Sequence, residues 1–228
     1  MDRPGNHLGK FISFEGIDGC GKSTLLQHLS RWLDAAGVSH LTTREPGGTR
    51  LGESIRELLL DPTYHGMSQE AEVLLYSASR AQLLHEVIRP ALREGLWVLA
   101  DRFSDATLAY QGYGRGLDLD MLLSLQTWAT RGLVPHHTIL LDCSLETAAG
   151  RRKLKPQNLD RIEGEEHAFH DRVRQGYLEL ARRHPDRFLV LDAEKSLEEV
   201  LTELETSFWV PLRRRWVSQA LLDGKSAE

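Results

Sequence analysis

The chain has 228 residues, of which 41% are hydrophobic and 27% charged. That balance suits one large α/β domain and excludes disordered, collagen-like and disulfide-scaffold classes. The formal charge of −5 offers no basic field to a nucleic-acid polymer. Two cysteines, Cys20 and Cys143, are too few for a secreted framework. With no apolar signal segment at the N-terminus and no run near ~18 apolar residues, a cytosolic setting without a membrane span is expected.

Five short apolar runs read as strands: Phe11 to Phe14, Val38 to Leu41, Leu96 to Ala100, Thr138 to Leu141 and Phe188 to Leu191. Several are near-continuous, as a parallel strand covered on both faces requires. After the first run, Leu25, Leu26, Leu29, Trp32 and Leu33 repeat at helical spacing, with Gly37 as a stop. Leu51, Ile55, Leu58 and Leu59 predict a helix ahead of Asp61-Pro62. Ser68 should cap a long helix running towards Gly95, kinked or split by Pro90. Further helices are expected from Leu119 to Arg131, Leu145 to about Lys153 and Glu165 to about His184. A last one follows Ser196, whose spacing to Glu199 fits a capping box. Between them, about residues 153–165 are polar and charged, long enough for a lid. The alternation β-α-β-α implies a parallel sheet with helices on both faces. One domain spans 1–228, ending in an extension over about 211–228. There Arg213 to Arg215 lie beside Trp209 and Trp216, which suits a docking helix less well than a partly ordered terminus.

Between the first strand and first helix, Gly16-Ile17-Asp18-Gly19-Cys20-Gly21-Lys22-Ser23 matches G-x-x-x-x-G-K-[ST] in a strand-loop-helix context. Glycines allow backbone N–H groups to turn inward around phosphate oxygens, and the helix N-terminus adds a positive dipole. Lys22 supplies a mobile charge and Ser23 a hydroxyl for Mg²⁺. A nucleoside triphosphate is the expected ligand, bound by residues 16–23 and Thr24. The same amides and Lys22 should lower the Cys20 thiol pKa and make it reactive. A guanine-reading Asn-Lys-x-Asp segment is missing from the sequence, which weighs against a switch GTPase and favours a small-molecule kinase. Such a kinase needs an acceptor-phosphate pocket and a cationic lid, because phosphoryl transfer is mostly positioning and charge neutralisation. The histidines carry no metal-ligand spacing beyond lone pairs. Asp101, at the end of the third strand, reads as a second Mg²⁺ carboxylate or as a structural partner of Arg102.

Five ordered motifs resemble those of the thymidylate kinases: FEGIDGCGKST from Phe14, TREPGGT from Thr43, SASRAQ from Ser77, DRFSDATLAYQG from Asp101 and LDRIE from Leu159. The resemblance implies a three-layer P-loop kinase fold with a five-stranded parallel sheet and a short lid. It also implies phosphorylation of dTMP to dTDP by ATP, a Mg²⁺ requirement and a homodimer. Another nucleoside monophosphate or deoxynucleoside kinase is the alternative, and a P-loop nucleotide switch a more distant one. Position by position, the resemblance places Arg102 and Arg44 on the acceptor phosphate, Tyr76 on the base, and Arg80 and Thr107 at the base edge, with Gln111 also among the dTMP-binding residues. Tyr110 falls beneath the sugar, where it would exclude a 2′-hydroxyl, and Asp18 falls at the 3′-hydroxyl. Ala106, Phe103 and Tyr76 depart from the family's commoner serine, Tyr or His, and Phe. Some members carry an arginine directly after the P-loop carboxylate, where this chain has Gly19. Its substitute is sought among Arg151, Arg152, Lys153, Lys155 and Arg161, with Arg152 and Arg161 as catalytic candidates beside Lys22, Asp18 and Arg102.

Overall fold

The computed structural model describes residues 9–153 and 160–222. Five parallel strands form one sheet: β1 (Phe11–Glu15), β2 (His40–Arg44), β3 (Trp97–Asp101), β4 (His137–Asp142) and β5 (Phe188–Asp192), in the order β2-β3-β1-β4-β5. The central strands are apolar on both faces because both are covered. On β3, Trp97 and Leu99 face the larger core, while Val98 and Ala100 join Phe11, Leu83, Ile88 and Phe103 in a second cluster on the opposite face.

Three expectations need correcting, and the split of the helix near Pro90 takes a specific form. The second strand begins later than Val38 and runs through Thr42 and Thr43. Val38 is buried, but its N–H bonds the Leu33 carbonyl at 2.9 Å as part of the preceding helix end. The strand itself is an edge with half-exposed positions, so β-branched threonines mark it better than apolarity does. The helix capped by Ser68, α3 (Gln69–Leu83), widens at Leu84–Ile88 into a π-helical turn before α4 (Arg89–Arg93). Pro90 brings no N–H to bond the preceding turn, and the widening absorbs that loss. Ser104–Thr107 forms the short helix α5 and continues as a π-helical turn through Gly114, where the sequence announced no element. The C-terminal extension is a helix as far as Leu222: α10 (Val210–Leu222) follows α9 (Leu197–Leu204) and docks on the chain's own core. Trp209 and Trp216 each meet Trp97 edge to face, at centroid distances of 6.3 and 6.4 Å. Residues 223–228 lie outside the described residues.

The remaining helices are α1 (Lys22–Ala35), α2 (Arg50–Leu60), α6 (Leu119–Thr130), α7 (Leu145–Lys153) and α8 (His167–Arg183). Ser196 and Glu199 form the expected capping box at the start of α9. No helix among the described residues is long and apolar enough to cross a membrane.

Candidate active site

The carboxyl ends of β1 and β3 set the site, as expected for an open parallel sheet. After β1 the backbone turns at Gly16, Gly19 and Gly21 with φ of 133°, 91° and 107°, a region closed to most side-chain-bearing residues. Lys22 Nζ donates to the carbonyls of Gly16 at 3.1 Å and Ile17 at 3.0 Å, and lies 3.7 Å from Asp18. Ser23 Oγ donates to Asp101 Oδ2 at 2.9 Å. Of the two readings of Asp101, the structure therefore places it on the P-loop hydroxyl rather than on the Arg102 guanidinium. Gly21 and Thr24 border a hollow completed by Leu141, Ala193 and Leu197. Arg151 spans it, donating to the carbonyls of Cys20 at 3.3 Å and Ala193 at 2.7 Å.

Cys20 overturns the expectation of a reactive thiol. It is buried at 1% exposure, and desolvation raises its pKa despite Lys22 and Arg102 nearby. Cys143 is buried too and pushed up to about 12 by desolvation.

Directly after β3, Arg102 takes φ 74°, a left-handed conformation that costs a side-chain-bearing residue about 1–3 kcal/mol unless its surroundings hold it. They hold it closely. Nη1 donates to the Gly16 carbonyl at 2.8 Å and the Tyr177 hydroxyl at 3.0 Å; Nη2 donates to Asp18 Oδ1 at 2.6 Å and the Tyr110 hydroxyl at 3.0 Å. Tyr110 in turn donates to Asp18 Oδ2 at 3.3 Å, and its ring lies 4.9 Å beneath the guanidinium carbon. Burial would raise the Asp18 pKa, but Arg102 and Lys22 outweigh it and hold this carboxylate well below the usual range.

Beside this cluster opens a cleft lined by Asp18, Tyr76, Arg80, Arg102, Thr107, Tyr110 and Gln111, seven of the eight residues assigned to the acceptor. Ala106 lines it as well, while Phe103 is fully buried against Phe11 at 4.8 Å. Arg44 is elsewhere: its side chain is 56% exposed and pairs with Glu53 at 2.9 Å, outside the cleft. Its side chain lines a separate hollow beside Ser23, Asp101 and Glu53. The cation that lines the cleft instead is Arg56 on α2, held by the Pro46 carbonyl at 3.0 Å.

Arg80 is 1% exposed, and its guanidinium makes four hydrogen bonds and a buried ion pair to protein acceptors. Nε and Nη2 reach Glu45 Oε2 at 2.7 and 2.6 Å, Nη1 reaches Thr107 Oγ1 at 2.9 Å and Gln126, and Nη2 reaches the Phe103 carbonyl at 3.2 Å. A base carbonyl at Arg80 would compete with these partners. Gln111 donates to Glu72 at 2.9 Å.

The two lid arginines part company. A Cβ at Gly19 would meet the Ala148 carbonyl at 2.4 Å and Arg152 Cγ at 3.0 Å, so the Arg152 stem lies on the P-loop turn. Arg161 turns the other way: it pairs with buried Glu72 at 2.7 Å and donates to the Leu59 carbonyl at 2.8 Å. Arg115 joins the same carboxylate at 3.1 Å. Asp160 and Ile162 border the cleft, whereas Lys155 and Leu159 lie outside the described residues.

The carboxylates Glu15, Glu45 and Glu72 escaped the sequence reading, although a signal existed for the first. Glu15 closes an otherwise apolar strand, and a carboxyl there is costly without dedicated partners.

The sequence model of the thymidylate kinase family matches residues 14–204. The chain belongs to the thymidylate kinase family. It is 50% identical over 197 residues to a thymidylate kinase of Carboxydothermus hydrogenoformans, covering 86% of this chain and 95% of that one. It is 48% identical over 211 residues to one from Desulfovibrio desulfuricans, covering 90% and 97%. A crystal structure of thymidylate kinase from Ehrlichia chaffeensis superposes with a TM-score of 0.71 at 32% identity, covering 88% of this chain and 98% of that chain. As a thymidylate kinase family member the chain is a phosphotransferase, and the family's reaction is conversion of dTMP to dTDP with ATP as donor.

Proposed function

We propose that the chain performs this reaction on Mg²⁺·ATP, with Lys22 and the P-loop amides around the donor phosphates and Arg102 on the acceptor phosphate. The observation that carries the reading is the Asp18-Arg102-Tyr110 cluster, which puts a part-buried guanidinium between the P-loop and the acceptor cleft. Asp18 stays ionised and accepts from the acceptor's 3′-hydroxyl. Tyr110, 6% exposed and packed edge to face on Phe169 and Tyr177, leaves no space for a 2′-hydroxyl. The Arg152 side chain supplies the cation that Gly19 lacks.

Ser23 and Asp101 suit Mg²⁺: they pair a hydroxyl with a carboxylate, both hard oxygens. Among the described residues no cluster of three or more His, Cys, Asp or Glu could hold a metal without other ligands. These two residues would therefore share the ion with nucleotide phosphates. There it would neutralise phosphate charge.

Large apolar side chains stand exposed on three neighbouring helices, Leu58 on α2, Leu74 on α3 and Met121, Leu123 and Trp128 on α6. Trp128 alone is 78% exposed. They support a homodimer through this face. Sedimentation of the wild type and Trp128→Glu tests it: a dimer that Trp128→Glu weakens is expected, and a wild-type monomer overturns it. A coupled ADP-release assay over dTMP, dUMP, UMP, dCMP, AMP and GMP tests the acceptor. dTMP should be turned over best and UMP worst among the pyrimidines.

A further inference from the structure

Glu15 is fully buried at the end of β1, and the roles given to Asp18, Arg102 and Tyr110 make no use of it. Both of its oxygens are committed. Oε1 accepts from the Phe103 backbone N–H at 2.7 Å, and Oε2 accepts from the Tyr177 hydroxyl at 2.8 Å. Each partner bears on Arg102. Phe103 directly follows the left-handed backbone of Arg102, so fixing its amide fixes the strained turn. The Tyr177 oxygen accepts from Arg102 Nη1 at 3.0 Å, so fixing that hydroxyl fixes one side of the guanidinium.

We propose that Glu15 is a positioning residue for the acceptor phosphate, gripping Arg102 from the end of β1, at its backbone through Phe103 and at its guanidinium through Tyr177. The inference rests on Arg102 being the acceptor-phosphate clamp. Three features support it over simple packing. A carboxyl group is an expensive filler for a dry strand end unless its bonds do something. The grip is split between a strand-end amide and a residue on α8, which no local contact could join. Finally, the surroundings tolerate a neutral group: burial and Asp105 on α5 push the Glu15 pKa well above the carboxylate range, against the pull of Arg102 and the bonds from Tyr177 and Phe103. A glutamine, which keeps an oxygen for Phe103 and a polar group for Tyr177, should therefore substitute well.

The test is steady-state kinetics at pH 7 on wild type, Glu15→Ala, Glu15→Gln, Tyr177→Phe and Arg102→Ala, with the doubles Glu15→Ala/Arg102→Ala and Tyr177→Phe/Arg102→Ala. Glu15→Ala should raise KM for dTMP at least ~10-fold and Tyr177→Phe at least ~3-fold, with KM for ATP within about twofold of wild type. Glu15→Gln should restore the dTMP KM to within about threefold. Neither single effect should add to Arg102→Ala, because both act through that side chain. Tyr177→Phe removes one hydroxyl only and serves if Glu15→Ala does not fold. Unchanged dTMP KM in Tyr177→Phe, and in Glu15→Ala where it folds, with a large rise in Arg102→Ala, overturns the proposal, as do fully additive doubles. If Arg102→Ala itself leaves dTMP kinetics unchanged, the reading of Arg102 is what has failed, and the proposal falls with it.

Discussion

Replacing Arg152 by alanine removes a cation from the P-loop while leaving the core untouched, and the structure separates this change from the same substitution at Arg161. The Arg152 stem covers Gly19, where a Cβ would come within 3.0 Å of its Cγ, and its charge is among those that lower the Asp18 pKa. Arginine side chains that neutralise a transferred phosphoryl group contribute ~10³ to 10⁵ in kcat elsewhere. A partial role already predicts that Arg152→Ala lowers kcat at saturating ATP by at least ~30-fold, about 2 kcal/mol of transition-state stabilisation, with little effect on dTMP affinity. Arg161 should behave differently. Its partner Glu72 is 2% exposed at the side chain and Arg161 itself 6%. Arg115 and Gln111 stay on Glu72 when Arg161 is removed, so the loss is that of a charged hydrogen bond, about 1.5–3 kcal/mol, rather than of a stranded carboxylate. For a chain of this size that is a fall in Tm of several degrees. Paired ADP-release kinetics and thermal melts on both variants check this. Arg152→Ala with kcat within threefold of wild type would refute the reasoning, as would Arg161→Ala losing kcat equally at an unchanged Tm.

Tyr110→Ala should open space beneath the sugar and raise the UMP to dTMP turnover ratio in the acceptor panel; an unchanged ratio counts against Tyr110 as the 2′-hydroxyl filter. Because Cys20 and Cys143 are both buried with raised thiol pKa values, iodoacetamide at pH 7.5 should label neither in the native protein and both after denaturation, read by mass spectrometry; rapid native labelling of Cys20 that ATP blocks would restore the reactive-thiol expectation. His137, half-buried against Phe208 at 5.2 Å, has its pKa lowered to about 4 by burial and by neighbouring His136, Lys10 and Arg215. The unfolded chain takes up that proton near pH 6.5 and the fold resists it down to about 4, so stability should fall as pH drops through this window. Urea unfolding at pH 7 and 5 should give a smaller pH effect in His137→Gln than in wild type.

Residues close together in sequence determined the sheet and the P-loop. Apolar runs of strand length, helical spacing between them and glycines at Gly16, Gly19 and Gly21 specify backbone shape through local rules, and the β-α alternation then leaves few topologies. The motifs also brought together residues that line one cleft: Tyr76 and Arg80 follow the helical spacing of α3, whereas Thr107, Tyr110 and Gln111 lie on α5 and the π-helical turn that the spacing did not announce. Which charge meets which was decided only by the tertiary structure. Glu45 finds Arg80 across 35 residues and Glu15 finds Tyr177 across 162. Arg44 and Arg161 look as well suited to phosphate as Arg102 and Arg152, yet one turns to solvent with Glu53 and the other to buried Glu72. The reason is desolvation: a charge carried into the interior must be met by whatever partner the packed chain brings within hydrogen-bond reach. That partner is set by the sheet order and by the packing of helices on it, neither of which is written in the spacing around the charge itself.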